Sequence, residues 1–470
     1  MTDTPLSIAE LETWIERTLQ QAAAPGAAVI LERGGEALLA RGFGVRDAAA
    51  GLPADVDTVF GTGSITKSLT ALAILLLEAD GRLATDDPVA KHLPDLRLPG
   101  HAAGDITIHH LLTHTAGLPP LPSRHYAWLS QDDLEPFERE RLAQLPPRAP
   151  LRSFDELIAF LGDYPVELHA APGERYSYSN EGYNLLGAII ERVSGQPLPA
   201  FVRDRILAPC GMARSSLDLR FTLSLPNVTR LHVREGGEVQ ASANWFNPAC
   251  WIAAGGLRST ATDLVRYFRM LASGGVLDGA QVVPTSVVAR MTTAHAPKGD
   301  GSAYGYGLTL ADLDGRAIAH HGGGHKGVSA MGGFAAAEGL VCVVLTNFAE
   351  APALRVWTGS MRTGLGLSVA PTSQPAAAIA LPAETLRGFA GVYDSPEGTQ
   401  FEVAVDDAGE LRVSSGGLST RAVATAEDVI TFTAFGEEQT IRFARLGGGG
   451  VSHALQGGRL VKRLSPALAG

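Results

Sequence analysis

Residues 64–79, SITKSLTALAILLLEA, limit what this 470-residue chain can become more than any other stretch. A helix that is apolar on nearly every side belongs in the middle of a domain, and this one is too short to cross a bilayer, which takes about 20 apolar residues. Asp80-Gly81 supplies its stop, because glycine takes the left-handed position after a last helical turn without strain. The fold must therefore wrap other layers around this helix. It must also accommodate Lys67 inside it, one of only five lysines in the chain (Lys67, Lys91, Lys298, Lys326 and Lys462).

The flanking sequence predicts those layers. Leu11, Ile15 and Leu19 fall on one stripe of a helix over Ile8–Ala22. Val29, Leu31, Leu38 and Phe43 alternate around Gly34-Gly35, predicting two antiparallel strands over Gly26–Arg46. VCVVLTNF, at the end of Val328–Phe348, reads as a buried strand that returns to the same sheet. Pro119–Pro150 is rich in proline and charge and reads as an irregular excursion, a lid or substrate wall. PTSQPAAAIALP has linker composition. Beyond it GVYDSPEGTQFEVAVDDAGELRVSS, VITFTAF and TIRFARL read as strands, and the GGGG at 447–450 as a simple loop. The expected organisation is an enzyme-sized α/β (α+β) domain over 1–370, a linker over 371–382 and a small β domain over 383–470.

Charge narrows the function classes. With 38 Lys and Arg against 49 Asp and Glu the formal net charge is -11, and no run of five like charges occurs. A nucleic-acid groove and a polybasic membrane patch are therefore not expected. Cys210, Cys250 and Cys342 are far apart and lack metal-ligand spacing, so they read as small core residues; no metal, cofactor or disulfide framework is implied. Asp3, Glu10, Glu12 and Glu16 stand where a secretory signal needs basic residues, so a cytoplasmic location is expected.

Three short segments can carry chemistry. Ser64 and Lys67 sit one helical turn apart at the start of the apolar helix, which brings amine and hydroxyl together. A serine hydroxyl is unreactive unless a neighbour takes its proton, and a lysine can do so only if its pKa falls from about 10.4 toward neutrality. Without that chemistry Ser64 is simply a helix cap. Tyr178-Ser179-Asn180 precedes the helical run YNLLGAIIERVSG: a phenol partly held as phenolate could relay a proton, and an Asn amide offers an acceptor to Lys67 and a donor to a substrate carbonyl. Its plain reading is a surface loop in which Asn180 caps the helix. His320-His321-Gly322-Gly323-Gly324 ends a strand-like stretch, and an amide there, with that of Ser64, could form an oxyanion hole; the alternative is a glycine hairpin with bystander histidines.

In this order and at these separations, SITK, YSN and HGG resemble the three active-site motifs of the serine β-lactamase and penicillin-binding-protein superfamily. TVFGTGSITKSLTALAILLLEADGRL, ITIHHLLTHTAGL, PGERYSYSNEGYNLLGAIIE, AAGGLRSTATDLVRYFRML and AHHGGGHKG extend the likeness over most of residues 20–365, toward the branch of class C β-lactamases, D-aminopeptidases, alkaline D-peptidases and related esterases. The resemblance implies a mixed, largely antiparallel sheet flanked by helices, joined to a helical subdomain. It makes Ser64 the nucleophile, Lys67 the general base, Tyr178 the partner in proton transfer and Asn180 a substrate-orienting residue, with His321, Gly323 and Gly324 lining the substrate and oxyanion side. His114 is then a structural loop residue. The expected partner is a small-molecule or short-peptide substrate.

The third motif departs from the Lys-Thr-Gly usual in the group. A neutral His321 removes an anchor for a substrate carboxylate, which favours esters, amides and D-peptides over penicillins; His325 and Lys326 could restore charge, although solvent exposure is the expected state of both. An acyltransferase using the same acyl-enzyme and a non-catalytic penicillin-binding-type receptor are the alternatives. The trailing domain resembles lipocalin-like barrels attached to some peptidases of this group, where it would narrow the cleft or support a homo-oligomer.

Overall fold

The computed structural model describes residues 6–98, 105–128, 134, 136–242, 244–245, 250–369, 377–406, 409–415, 418–434, 437–446 and 450–464. The first hairpin, β1 (Gly26–Arg33) and β2 (Glu36–Asp47), turns through Gly34-Gly35, both at positive φ, and continues to the edge strand β3 (Leu52–Pro53). The rest of the sheet comes from much later: β4 (Ala296–Pro297), β5 (Ala303–Tyr304), β6 (Thr309–Leu313), β7 (Arg316–His325), β8 (Val328–Ala335) and β9 (Leu340–Thr346). Their spatial order is β4-β5-β6-β7-β8-β9-β1-β2-β3, and every pairing is antiparallel.

β9 returns to β1 with Val344 opposite Val29. Both strands are buried on two faces, because side chains alternate with period two and each face meets its own helices. Val29, Leu31, Cys342 and Val344 face one core with Leu11 and Ile15 of α1 (Ile8–Gln21) and Trp357 of the helix Ala353–Gly364. Ala28, Ile30, Val343 and Leu345 face the other, larger core. There lie α2 (Thr66–Ala79), α3 (Asn180–Ser194) and α4 (Ala261–Ala272).

Thr66 through Leu77 of α2 are all buried, as the apolar composition requires. A 3-10 turn over Gly63–Ile65 leads into it, and Gly81 at φ +71° follows its end. α1 starts in a capping box between Ser7 and Glu10, whereas α3 is capped by the Ser179 hydroxyl and ends at Gly195. Cys210, Cys250 and Cys342 are buried, free thiols. No helix among the described residues is long and apolar enough to cross a membrane.

The C-terminal strands, β10 (Gly391–Asp394), β11 (Gln400–Val405), β12 (Leu411–Ser415), β13 (Leu418–Ala426), β14 (Val429–Ala434), β15 (Glu437–Ala444), β16 (His453–Gln456) and β17 (Arg459–Arg463), close into an eight-stranded barrel. Pairing of Tyr393 with Arg463 seals it, so no strand edge is left open. Phe389 stacks on Phe443 and Tyr393 on Phe401 in its core. Residues 371–376 of the expected linker and 447–449 of the GGGG segment lie outside the described residues; Ile379, within the linker's second half, donates to Ala424 of β13. Of the 119–150 excursion, 129–133 and 135 also lie outside, while Leu121, Tyr126 and Trp128 are buried and two short helices, Ser123–Tyr126 and Pro136–Ala143, form.

Because α2 is enclosed, truncation inside it leaves a cavity that neighbours fill only partly. Leu72→Ala, at a fully buried position, is expected to lower unfolding free energy by about 2 to 5 kcal/mol, measured by urea denaturation.

Candidate active site

Ser64 lies in the 3-10 turn ahead of α2, and Lys67, wholly buried, reaches back to it. Lys67 Nζ donates to Ser64 Oγ at 3.0 Å, to Asn180 Oδ1 at 2.8 Å and to the Ala254 carbonyl at 2.8 Å. All three hydrogen-bonding positions of the amine are thus occupied, while the Tyr178 and Tyr183 rings lie 4.8 and 5.6 Å away, centroid to nitrogen. Burial, then the Arg459 charge, pulls the lysine well below its ordinary pKa; Glu397 and Glu181 oppose this.

Tyr178 is partly buried. Burial raises its phenol well above the ordinary tyrosine value, outweighing the lowering by a hydrogen bond with Ser64 and by Arg459. The balance favours the neutral phenol over the phenolate, because desolvation of an anion exceeds what the hydrogen bond and the nearby cation return. His114, at φ +58°, supports this segment: its ring lies 4.2 Å from that of Tyr178, and its Nδ1 accepts from Ser179 N–H at 3.1 Å.

The third segment is brought in by β7. Gly323 faces Ala330 and Gly324 faces Ser329 across the sheet, and the strand crosses directly over the turn before Ser64. A Cβ on Gly323 would sit 1.9 Å from the Thr62 carbonyl, and one on Gly63, at φ +52°, 2.6 Å from the Gly324 nitrogen. Only glycine allows this approach of two backbones. His321 is buried, with Nδ1 2.6 Å from the Gly322 carbonyl and Nε2 3.0 Å from the Tyr304 hydroxyl. Since the carbonyl only accepts, Nδ1 carries the hydrogen and Nε2 accepts from Tyr304. Burial, reinforced by Lys67, drops this imidazole to about 3.

The expected solvent exposure of His325 and Lys326 is overturned. Lys326 is buried and pairs with Glu138 of the 119–150 excursion at 3.4 Å. His325 is partly covered, its Nδ1 2.9 Å from the Lys326 carbonyl, and burial drops its pKa to about 3. A packed excursion, rather than solvent, meets this end of β7.

Two further residues come from the barrel. Glu397, between β10 and β11, accepts from Asn180 Nδ2 at 2.7 Å and forms a two-point pair with Arg459 at 2.7 and 3.2 Å. The Arg459 guanidinium carbon lies 5.0 Å from the Tyr178 ring centroid. Between barrel and sheet a cavity of about 690 Å³ is lined by Tyr178, His321, Lys298, Thr425, Arg442 and Gly458.

SITK, YSN and HGG thus converge on one buried cluster. A family model described as beta-lactamase matches residues 11–361. The chain belongs to the beta-lactamase family. Esterase EstB of Burkholderia gladioli is 32% identical over 337 residues, 66% of this chain and 81% of that protein. Protein flp of Staphylococcus aureus strain MW2 is 32% identical over 234 residues, covering 50% of this chain but only 42% of its own length. Among solved structures, the octameric penicillin-binding protein homologue from Pyrococcus abyssi superposes at a TM-score of 0.70 with 27% identity over 97% of this chain and all of that one. A D-stereospecific amidohydrolase from Streptomyces sp. gives 0.60 and 26% identity, covering 75% of this chain and 97% of that one. With this fold and these relatives the chain is a serine hydrolase.

Neutral buried histidines make the family fold acid-sensitive here. His114 and His321 have folded pKa values below the unfolded value near 6.5, so from about pH 6.5 downward the unfolded chain holds more protons and gains stability relative to the folded one. Each is expected to contribute a loss of about 1.4 kcal/mol per pH unit, for His321 down to about pH 3. Urea midpoints at pH 7, 6 and 5 should fall, and His321→Asn should make the fall shallower; parallel slopes in the two proteins would count against a neutral His321.

Proposed function

We propose that the chain hydrolyses esters or amides through an acyl-Ser64 intermediate, with short peptides containing D-amino acids and small esters as the substrate class. The observation that carries this is the three-way bonding of Lys67. Asn180 Oδ1 and the Ala254 carbonyl take two hydrogens of the amine, so a neutral Lys67 directs its lone pair along the remaining contact, toward Ser64 Oγ. Ser64 then attacks the carbonyl carbon as its proton passes to Lys67. Backbone amides of Ser64 and of the Gly323-Gly324 stretch hold the oxyanion, each worth about 3 to 4 kcal/mol in comparable sites. The Tyr178 phenol hands a proton to the leaving group and is reprotonated from Lys67. Water repeats the sequence on the acyl-enzyme.

Charge placement supports the substrate class. His321 is neutral and Lys326 pairs with Glu138, so the third motif itself supplies no free ammonium for a penicillin carboxylate, and the cations of the neighbouring cavity wall, Lys298 and Arg442, face Asp300 and Asp428. The relatives named for esterase and D-stereospecific amidohydrolase activity point the same way. Full-length likeness to an octameric homologue makes a homo-oligomer the expected assembly.

Treatment with a fluorophosphonate should add one mass adduct that disappears in Ser64→Ala, and turnover of p-nitrophenyl esters should fall by on the order of 10³-fold or more in that variant and in Lys67→Met. Benzylpenicillin should turn over far more slowly than short esters or D-amino-acid p-nitroanilides. An adduct persisting in Ser64→Ala would remove the nucleophile from the scheme, and penicillin turnover equal to that of esters would remove the substrate class.

A further inference from the structure

We propose that the barrel is a working part of the active centre, its Glu397–Arg459 pair acting as positioning residues that orient the Asn180 amide and set the charge around Lys67 and Tyr178. The inference rests on Lys67 being the base of the reaction described above.

The barrel reaches the site through two turns. In one, Gly458 accepts a backbone hydrogen bond from Tyr178 at 2.9 Å, and Arg459 follows directly. In the other, the Glu397 carbonyl lies 3.1 Å from His125 Nε2 of the 119–150 excursion. The main chain that carries both residues is thereby tied to the Tyr178 segment and to the excursion. The Glu397 side chain is 8% exposed, and Arg459 engages it through Nε and one terminal nitrogen. That geometry is the rigid fork-to-carboxylate match of which arginine is capable.

The first consequence concerns Asn180. An amide can be turned over so that its oxygen and nitrogen exchange places, and a carboxylate only accepts. Glu397 therefore demands the Asn180 NH2 group and leaves Oδ1 facing Lys67, the orientation observed. Without Glu397 only the Lys67 contact holds Oδ1 in place, and a neutral amine, which can also accept, lets the NH2 group turn toward it and compete with Ser64 for the lone pair.

The second consequence concerns charge. Around Lys67, α3 presents Asn180, Tyr183 and Glu181; the loops ahead of it present His114 and Tyr178; β7 presents His321; and the barrel presents Glu397 and Arg459. His114 and His321 are neutral, and burial with the Glu397 charge raises Glu181 above the usual carboxylate range. The barrel pair therefore contributes opposed influences: Arg459 favours the neutral amine, and Glu397 favours the ammonium.

The test is the pH dependence of kcat/KM for a p-nitrophenyl ester with the full chain, in which the acid limb reports Lys67 losing its proton. Glu397→Gln leaves Arg459 unbalanced and should move that limb to lower pH by about one unit. Adding Arg459→Met to it should move the limb back up toward its original position. A limb that stays fixed in both variants, with rates reduced equally at every pH, would mean that the pair only docks the barrel, and the proposal would fall. If the double variant gives no cooperative melt, the isosteric Glu397→Gln decides alone. Ser64→Ala separates the two levels: residual turnover there sinks the acyl-Ser64 reading, whereas an inactive Ser64→Ala with an unmoved Glu397→Gln limb sinks only the barrel's role.

Discussion

A single amine in the middle of an apolar helix governs this structure. Burying Lys67 without partners would be prohibitive, and the fold meets the requirement with a side-chain hydroxyl, an amide oxygen and a main-chain carbonyl drawn from three parts of the chain. Those partners belong to the turn before α2, the first residue of α3 and the short helix Ile252–Gly255. Packing of these elements is thus inseparable from the geometry of the site. A slip of α3 against α2 would break the Asn180 contact and leave a buried donor unpaired.

The crossing of β7 over the Ser64 turn is a second constraint of the same kind. It is steric, not electrostatic: the Thr62 carbonyl occupies the space where a side chain on Gly323 would begin. The close approach places peptide groups of β7 beside the serine. It also encloses His321, which loses its charge and turns to Tyr304 and its own neighbouring carbonyl. The histidine is better described as part of the wall than as an anion anchor.

Much of this was legible beforehand because it rests on local pattern. The apolar run from Ser64, the alternation around Gly34-Gly35 and the spacing of Ser64 from Lys67 each encode geometry over one or two turns. The burial of Lys326 is not legible in the sequence, because its partner Glu138 stands in the irregular 119–150 segment whose placement no periodicity reveals. Tyr178 is legible as a member of the cluster, but the direction in which its surroundings push the phenol is not, since that depends on packing by the ring of His114 and on the barrel's Arg459. Glu397 and Arg459 left no signal at all. They stand in a strand-and-turn region resembling any small β domain, and their partner Asn180 lies more than 200 residues earlier in the sequence.

A closed barrel has no free strand edge to offer a neighbouring domain, so it can dock only through its turns and the faces of its strands. Here the Gly457-Gly458 turn, with both residues at positive φ, carries main chain close enough to bond the Tyr178 amide, and the following Arg459 inherits a fixed position from that contact. The strands add contacts of their own, Arg442 donating to the Gly299 carbonyl and Lys462 pairing with Glu167, and between these and the turn lies the cavity bounded by Lys298, His321 and Arg442. The barrel thus closes on one side of the cluster while leaving a polar chamber, within the size range of small-ligand sites, beside it. The walls of that chamber come from segments far apart in sequence, from Tyr178 through Lys298 and His321 to Arg442 and Gly458.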